Sequence, residues 1–225
     1  MGMNFRDFDP GILGCLDLDF SSLHARVNHG TLLLSWFITP PKGARKALEL
    51  GSGSGVISIY LAKVFGLSVT GLEIDSDLYK VSVKNARANC TENLTSFINC
   101  DIKAYCSENR GEIFDLVVAN PPHYVHSGLE SPDDRRNIAR RIDQDSARVF
   151  ASAAGGFLKN RGAFFFLLHP RDLTKWVRLL EDEGLGIHRL RFAYGSFEKQ
   201  AQLVLISGRK GSSSEIVVEP PIRMR

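Results

Sequence analysis

From residue 46 onward, short apolar segments alternate with longer segments in which apolar residues recur at helical spacing. The run Ala163–Leu168 is apolar without a break, which is typical of a strand that a sheet buries on both faces. The pattern predicts strands at Ala47–Leu50, Ser68–Ile74, Leu94–Asn99, Phe114–Ala119, Ala163–Leu168, Ile187–Tyr194 and Ala201–Ser207. It predicts helices at Gly30–Ile38, Ser54–Phe65, Ser76–Asn89, Arg136–Lys159 and Pro170–Glu183, and a weaker helix between the third and fourth strands.

Strands that alternate with helices predict a parallel sheet covered on both sides. The last two predicted strands have no helix between them, which predicts an antiparallel hairpin at one edge. We therefore predict an α/β fold: a Rossmann-like, seven-stranded, mostly parallel sheet with helices on both faces and an antiparallel edge hairpin. The pattern divides the chain into an irregular N-terminal segment (residues 1–27), one domain (residues 28–210) and a C-terminal tail (residues 211–225).

Composition and charge narrow the functional classes. The 225 residues are 44% hydrophobic and 24% charged, which is ordinary for a globular protein, and the net charge of +3 is compatible with nucleic acid without requiring it. No apolar run approaches the roughly 20 residues that span a bilayer, and the first residues lack the apolar core of a signal peptide. The four cysteines contain no C-x-x-C pair, so we expect no metal site. Together with the absence of a long apolar run, this predicts no membrane association and a cytoplasmic location.

The first predicted strand ends in the glycine-rich segment ELGSGSG. Its glycines, Gly51, Gly53 and Gly55, allow a tight turn and a close approach of the backbone to a ligand. The dinucleotide fingerprint would need glycine at position 56, where Val56 stands, so an NAD-dependent reductase is disfavoured. An acidic residue, here Glu49, followed by G-x-G-x-G resembles the class I S-adenosylmethionine-dependent methyltransferases. The positive charges of that cofactor would favour an acidic neighbour.

Two further strand ends carry carboxylates. Glu73 lies 22 residues after Gly51, close to the spacing of a carboxylate that binds ribose hydroxyls. Asp75 is then expected to cap the next helix. At the third strand end, Asp101 can accept a hydrogen bond from an adenine amino group. Ile74 and Ile102 are the residues we expect to sandwich the adenine ring.

The fourth predicted strand runs directly into the sequence NPPHY, which is the most specific signal in the chain. Pro121 and Pro122 remove two backbone donors and stiffen the turn. The side-chain carbonyl of Asn120 and the backbone carbonyl of Pro121 can accept both hydrogens of a planar amino group and stabilise the positive charge that develops on its nitrogen during attack. An aromatic side chain, His123 or Tyr124, would stack on a flipped-out base.

The N-P-P-aromatic motif resembles the amino methyltransferases, which modify adenine N6, guanine N2 or glutamine amides. The segments GTLLLSW (residues 30–36), SGLESPDDRRNIARR (residues 127–141) and RLRFAYGSFEKQAQLVLISGRKG (residues 189–211) are similar to the bacterial tRNA(1)(Val) adenine-37 N6-methyltransferase family. The resemblance covers about residues 24–221. His29 is a departure, because several members of that family have an acidic residue near its position.

The resemblance implies transfer of a methyl group from S-adenosylmethionine to adenine N6, in tRNA. The implied cofactor-binding residues are Glu49, Gly51, Gly53, Gly55, Glu73, Ile74, Asp101, Ile102 and Asn120. The implied catalytic residues are Asn120, Pro121, Pro122 and His123, and the implied substrate contacts are His123 and Tyr124. Guanine N2 in rRNA and a protein glutamine remain alternative acceptors, and a non-catalytic module that binds cofactor and RNA is an alternative of another class.

Charge alone does not decide whether RNA binds. Near the NPPHY motif, five arginines share one stretch with five acidic residues, so ion pairs on a solvated helix explain any single arginine. A second candidate patch comprises Arg209, Lys210, Arg223 and Arg225. The oligomeric state and the exact RNA do not follow from the sequence.

Overall fold

The computed structural model describes residues 7–18, 27–109, 111, 113–121 and 144–224. The helices are α1 (His29–Phe37), α2 (Val56–Phe65), α3 (Ser76–Ala88), α4 (Ile102–Glu108), α5 (Gln144–Phe157) and α6 (Leu173–Asp182). The strands are β1 (Lys46–Leu50), β2 (Ser68–Glu73), β3 (Thr95–Asn99), β4 (Phe114–Ala119), β5 (Leu158–Leu168), β6 (Leu185–Tyr194), β7 (Leu203–Lys210), β8 (Val217–Val218) and β9 (Ile222–Arg223). A short 3-10 turn, Pro170–Asp172, precedes α6.

The strands form one sheet in the order β3-β2-β1-β4-β5-β7-β6-β8, and β9 also pairs with β6. Neighbouring strands are parallel except that β7 is antiparallel to both β5 and β6. The predicted mostly parallel sheet with its antiparallel hairpin is therefore confirmed. The predicted count of seven strands is wrong, because the C-terminal tail adds two strands of two residues each along β6.

Helices cover both faces of the sheet, as predicted. Successive residues of β5 alternate between the two layers: Phe165 and Leu167 pack with α1 and α2, whereas Phe164 and Phe166 pack with α5 and α6. This alternation explains why Ala163–Leu168 is continuously apolar, since both faces of the strand are buried. The core therefore consists of two apolar layers, one on each side of the sheet.

Two predicted boundaries change for local reasons. Helix α2 begins at Val56 rather than Ser54, because Gly55 at its N-cap has a left-handed φ of 81°. Strand β5 begins at Leu158 rather than Ala163, because a bulge interrupts the pairing: four residues of β5 (159–162) stand opposite the single residue Asp115 of β4 between the pairs Phe114–Leu158 and Leu116–Ala163. The predicted start of the long helix before β5, at residue 136, lies outside the described residues.

Hydrogen bonds attach the N-terminal segment to the domain. The indole N–H of Trp36 in α1 donates to the backbone carbonyl of Asp7 at 2.9 Å. Asn89, at the end of α3, accepts from the backbone N–H of Asp17 and donates to the carbonyl of the same residue. At the other end of the domain, β7 continues past the predicted strand end at Ser207 and includes Gly208, Arg209 and Lys210. Among the helices that the structure describes, none is long and apolar enough to cross a membrane.

Candidate active site at the carboxyl edge of the sheet

The strand register brings the predicted motifs to one edge of the sheet. In the central strand β1, Leu50 is paired with Leu72 of β2 on one side and with Ala119 of β4 on the other. Gly51, Glu73 and Asn120 each follow one of these residues directly. Because paired strands lie about 4.8 Å apart, the glycine turn begins between Glu73 and Asn120.

The backbone of the glycine turn requires glycine at three alternate positions. Gly51, Gly53 and Gly55 have φ angles of 73°, 53° and 81°, in the left-handed region that other residues rarely adopt. A Cβ on Gly55 would also lie 2.7 Å from the ring of Phe97 and 2.8 Å from Cβ of Ser82. Nothing lies within 4 Å of a Cβ built on Gly53, so the middle of the turn faces open space. The turn therefore has a packed end and an accessible middle.

The Glu73 carboxylate links the end of β2 to this turn. One carboxylate oxygen accepts the backbone N–H of Gly53 at 2.6 Å, and the other accepts the N–H of Asp75 at 2.9 Å. The residue is buried, and this burial raises the pKa of the carboxyl above its usual value, although the two N–H donors oppose the shift. Glu73 thus lies at the end of β2, as the sequence spacing predicts, and backbone N–H groups of Gly53 and Asp75 fix its carboxylate. Its ribose-binding role stays a prediction.

Glu49 is buried beneath the turn and is bonded to helix α2. Its Oε2 accepts both the backbone N–H and the hydroxyl of Ser58. Burial raises its pKa to about 8, and the nearby Glu73 adds to the shift, whereas the bonds from Ser58 lower it. The protonated form therefore dominates at neutral pH, which differs from the ionised acid that the sequence suggested beside a cationic cofactor. A cofactor-binding role for Glu49 stays a prediction.

The raised pKa of Glu49 predicts a pH-dependent stability. Between pH 4.5 and about 8 the folded chain retains a proton that the unfolded chain releases, so the free energy of unfolding falls as pH rises through this window. Glu49→Gln keeps an acceptor for Ser58 and removes the titration. We expect the variant to show a smaller decline in denaturant-unfolding free energy across the window, the remainder belonging to Glu73. The exposed Glu92→Gln is the control, and an unchanged pH slope in Glu49→Gln would contradict the prediction.

The residues predicted to surround adenine occupy the next two strand ends. Asp101 caps α4, and its Oδ1 accepts the backbone N–H groups of Lys103 and Ala104. Asp75 caps α3 in the same way, as predicted. Ile74 is 68% exposed, which is unusual for a large apolar residue directly after a buried strand. Ile102 packs partly against the core. These positions are consistent with a binding surface beyond β2 and β3, and the individual roles stay predictions.

Asn120 is half-buried at the end of β4 and lies against the start of α1. A Cβ built on Gly30 would be 3.4 Å from the amide nitrogen of Asn120 and 2.7 Å from the Leu167 side chain. Glycine at position 30 therefore allows α1 to approach the NPPHY motif closely. His29, beside it, is exposed. Pro121 is buried, whereas Pro122, His123 and Tyr124 lie outside the described residues.

Two asparagines, the buried Asn85 and the exposed Asn99, support the site and were not predicted. The amide of Asn85 in α3 donates to the backbone carbonyl of Ser54 at 3.0 Å and so attaches the glycine turn to that helix. The amide of Asn99 donates to the carbonyls of Glu73 and Ile74. Only Asn85 has a feature that could have drawn attention to it: it is a polar residue on the buried face of its helix. Within the described ranges, no group of three or more metal-ligating side chains occurs.

Comparison with known proteins agrees with this arrangement. The family model described as the methyltransferase small domain matches residues 20–167. A tRNA1(Val) (adenine(37)-N6)-methyltransferase of Bacteroides fragilis is 30% identical over 156 residues, 69% of this chain and 65% of the relative. The protein of the same name from Glaesserella parasuis is 34% identical over 169 residues, 74% of this chain and 68% of the relative. The chain thus spans about two thirds of the length of these relatives.

Solved structures share the fold. A predicted O-methyltransferase from Agrobacterium tumefaciens superposes with a TM-score of 0.65 at 17% identity, over 87% of this chain and 86% of that chain. The 16S rRNA N2 G1207 methyltransferase of T. thermophilus, in complex with AdoMet and guanosine, superposes with a TM-score of 0.59 at 25% identity, over 85% of this chain and 45% of that chain. The resemblance drawn from the sequence motifs is confirmed, and the chain belongs to the methyltransferase small domain family.

Proposed function

We propose that this chain transfers a methyl group from S-adenosylmethionine to an exocyclic amino nitrogen, with adenine N6 of a tRNA as the favoured acceptor. The observation that carries the proposal is the register of β1 with β4. It places the glycine turn beside Asn120 and Pro121 in a chain of a methyltransferase family.

The described residues fit such a cofactor. Gly53 leaves an open approach to the backbone, and Glu73 offers carboxylate oxygens at the same edge. Ile74 provides an exposed apolar surface, and the Oδ2 atom of Asp101 is left for a donor because its two capping bonds go to Oδ1. When bound, S-adenosylmethionine supplies a methyl group on a positively charged sulfur. The residues would hold its ribose through Glu73 and its adenine through Asp101, Ile74 and Ile102.

The residues after β4 would prepare the acceptor. An amino group conjugated to a purine ring is a poor nucleophile, because its lone pair is delocalised into the ring. The carbonyl oxygens of Asn120 and Pro121 would accept its two N–H groups, orient the nitrogen and stabilise the positive charge that develops as it attacks. Holding the acceptor beside the glycine turn adds the advantage of proximity. His123 or Tyr124 would stack on the base.

Two observations bear on the identity of the acceptor. The curated relatives at 30–34% identity carry a name that specifies adenine-37 N6 of a tRNA, which favours adenine. The T. thermophilus enzyme at 25% identity is named as a methyltransferase of guanine N2 in 16S rRNA, which makes guanine N2 the second candidate. Both acceptors present a planar amino group, so the Asn120 and Pro121 carbonyls would serve either.

A single experiment separates these candidates. The chain is incubated with methyl-labelled S-adenosylmethionine and with total tRNA or rRNA from a strain that lacks the protein, and the RNA is digested to nucleosides for mass spectrometry. We expect N6-methyladenosine from the tRNA. N2-methylguanosine from the rRNA would support the second candidate. RNA binding without label in either RNA would contradict methyl transfer to RNA and favour a non-catalytic binding module.

A further inference from the structure

An exposed aromatic side chain lies at the same edge of the sheet as the candidate active site. Phe197, in the turn between β6 and β7, is 56% exposed. Its ring packs edge-on against Tyr194, the last residue of β6, with the ring centroids 5.6 Å apart. Single apolar residues on a surface are common, but an aromatic pair fixed at the reactive edge of a sheet is a more specific feature.

The turn that carries Phe197 is ordered by its own hydrogen bonds. The backbone N–H of Lys199 donates to the carbonyl of Ser196 at 3.1 Å, and the N–H of Gln202 donates to the carbonyl of Ala193 at 2.9 Å. The Ser196 hydroxyl also accepts the N–H of Glu198. The aromatic ring is therefore held in place before any ligand arrives, which lowers the entropic cost of binding.

The strand register fixes the distance from this turn to the catalytic motif. Strand β6 is separated from β4 by β7 and β5, and these four strands are consecutive in the sheet. Ala119 of β4 is level with Phe166 of β5, and Ala193 of β6 pairs with Leu203, next to the partner of Leu168. Three strand spacings correspond to about 14 Å. An RNA strand whose target base lies at the catalytic motif would cover that distance within a few nucleotides.

Exposed cations that can contact RNA phosphates lie around the aromatic pair. Lys199 lies in the same turn, and Arg223 of β9 is level with Tyr194 in the sheet; both side chains are exposed. Arg171, exposed after the end of β5, adds a third cation. Among the described residues, acidic neighbours are Glu198 in the turn, Asp172 beside Arg171, and Asp7, which lines the same pocket as Arg223. Arg209 and Lys210 lie at the other end of β7, so the C-terminal basic patch suggested by the sequence is divided between opposite edges. Of its described members, only Arg223 lies at the same edge of the sheet as the candidate active site.

We propose that the Tyr194–Phe197 pair is a stacking platform for an unpaired nucleotide of the RNA substrate, close in sequence to the methylated base. Lys199 and Arg223 contact the phosphates beside it. This proposal rests on the proposed function, because it requires an RNA acceptor. Aromatic stacking suits the role, since a ring can bind any base through its face while phosphate contacts set the path of the strand.

The test compares methylation kinetics of Phe197 variants on tRNA from a strain that lacks the protein. We expect Phe197→Ala to raise KM for tRNA roughly tenfold, the size expected when one stacked base loses its partner, with kcat and the calorimetric affinity for S-adenosylhomocysteine unchanged. Phe197→Trp keeps an aromatic face and should have a KM close to that of the wild type. Phe197→Leu, which keeps an apolar side chain without an aromatic face, should behave like Phe197→Ala.

A matched control exists at the opposite edge of the sheet. Phe65, at the end of α2, is 39% exposed and packs edge-on against Tyr60 with a centroid distance of 5.7 Å. Phe65→Ala should leave KM for tRNA unchanged. If wild-type protein methylates tRNA and Phe197→Ala or Phe197→Leu retains the wild-type KM, the platform is wrong while the proposed function stands. If the wild-type protein methylates no RNA, the proposed function fails and the platform with it.

Discussion

Replacing Asn120 by alanine is expected to lower the rate of methyl transfer by roughly two to three orders of magnitude, the range found when one polar group that stabilises transition-state charge is removed. The residue stands at the end of β4, next to the glycine turn and against the start of α1. Its loss removes one of two acceptors for the amino hydrogens. Calorimetric affinity for S-adenosylhomocysteine should stay close to the wild-type value, because the glycine turn and Glu73 remain.

Two further variants make the interpretation specific. Asn120→Asp keeps an oxygen acceptor in the same position, so we expect it to retain more activity than Asn120→Ala. Asn160→Ala removes an exposed asparagine at the opposite edge of the sheet and should leave the rate unchanged. Wild-type turnover in Asn120→Ala would refute the role. An equal loss of cofactor affinity and rate would show that Asn120 acts through the cofactor rather than on the acceptor.

The sheet could be predicted from the sequence because strands that are buried on both faces consist of continuous apolar residues. The strand Ala163–Leu168 is the clearest case, and its neighbours follow from the alternation of strands and helices. The tail strands could not be predicted, because two residues such as Val217–Val218 carry no periodicity and pair only where β6 presents a free edge. The start of β5 was missed because Arg161 adopts a left-handed φ of 64° within a bulge.

The candidate site shows the same division between local and tertiary information. The spacing from Gly51 to Glu73 is a property of the sequence, and the structure places both residues at one strand edge. The protonation state of Glu49 could not be predicted from the sequence, because it depends on complete burial and on the hydroxyl of Ser58, nine residues away across the turn. The support from Asn85 likewise depends on how α3 packs against the turn. Sequence motifs thus predicted which residues meet, whereas their electrostatics required the packed structure.

Replacing Glu73 by alanine is expected to weaken binding of S-adenosylhomocysteine by at least about tenfold, the cost of losing charge-assisted hydrogen bonds to ribose hydroxyls. The same carboxylate accepts N–H groups from Gly53 and Asp75, so the alanine variant also loses support for the turn. Glu73→Gln separates the two effects. It keeps an oxygen for the Gly53 N–H and the shape of the side chain, but its amide nitrogen can accept neither from the Asp75 N–H nor from a hydroxyl.

The two variants should therefore differ in stability more than in binding. Without ligand, we expect Glu73→Gln to unfold closer to the wild-type temperature than Glu73→Ala does, because it keeps the bond from the Gly53 N–H. It should show a smaller ligand-induced rise in Tm than the wild type, because stabilisation by a ligand follows its affinity. Asp75→Asn is the matched control, since asparagine caps a helix as well as aspartate does and Asp75 lies only two residues away. Its ligand-induced rise in Tm should equal that of the wild type. A wild-type rise in Glu73→Gln would show that the carboxylate supports the turn alone, and the ribose would then need another partner at this edge.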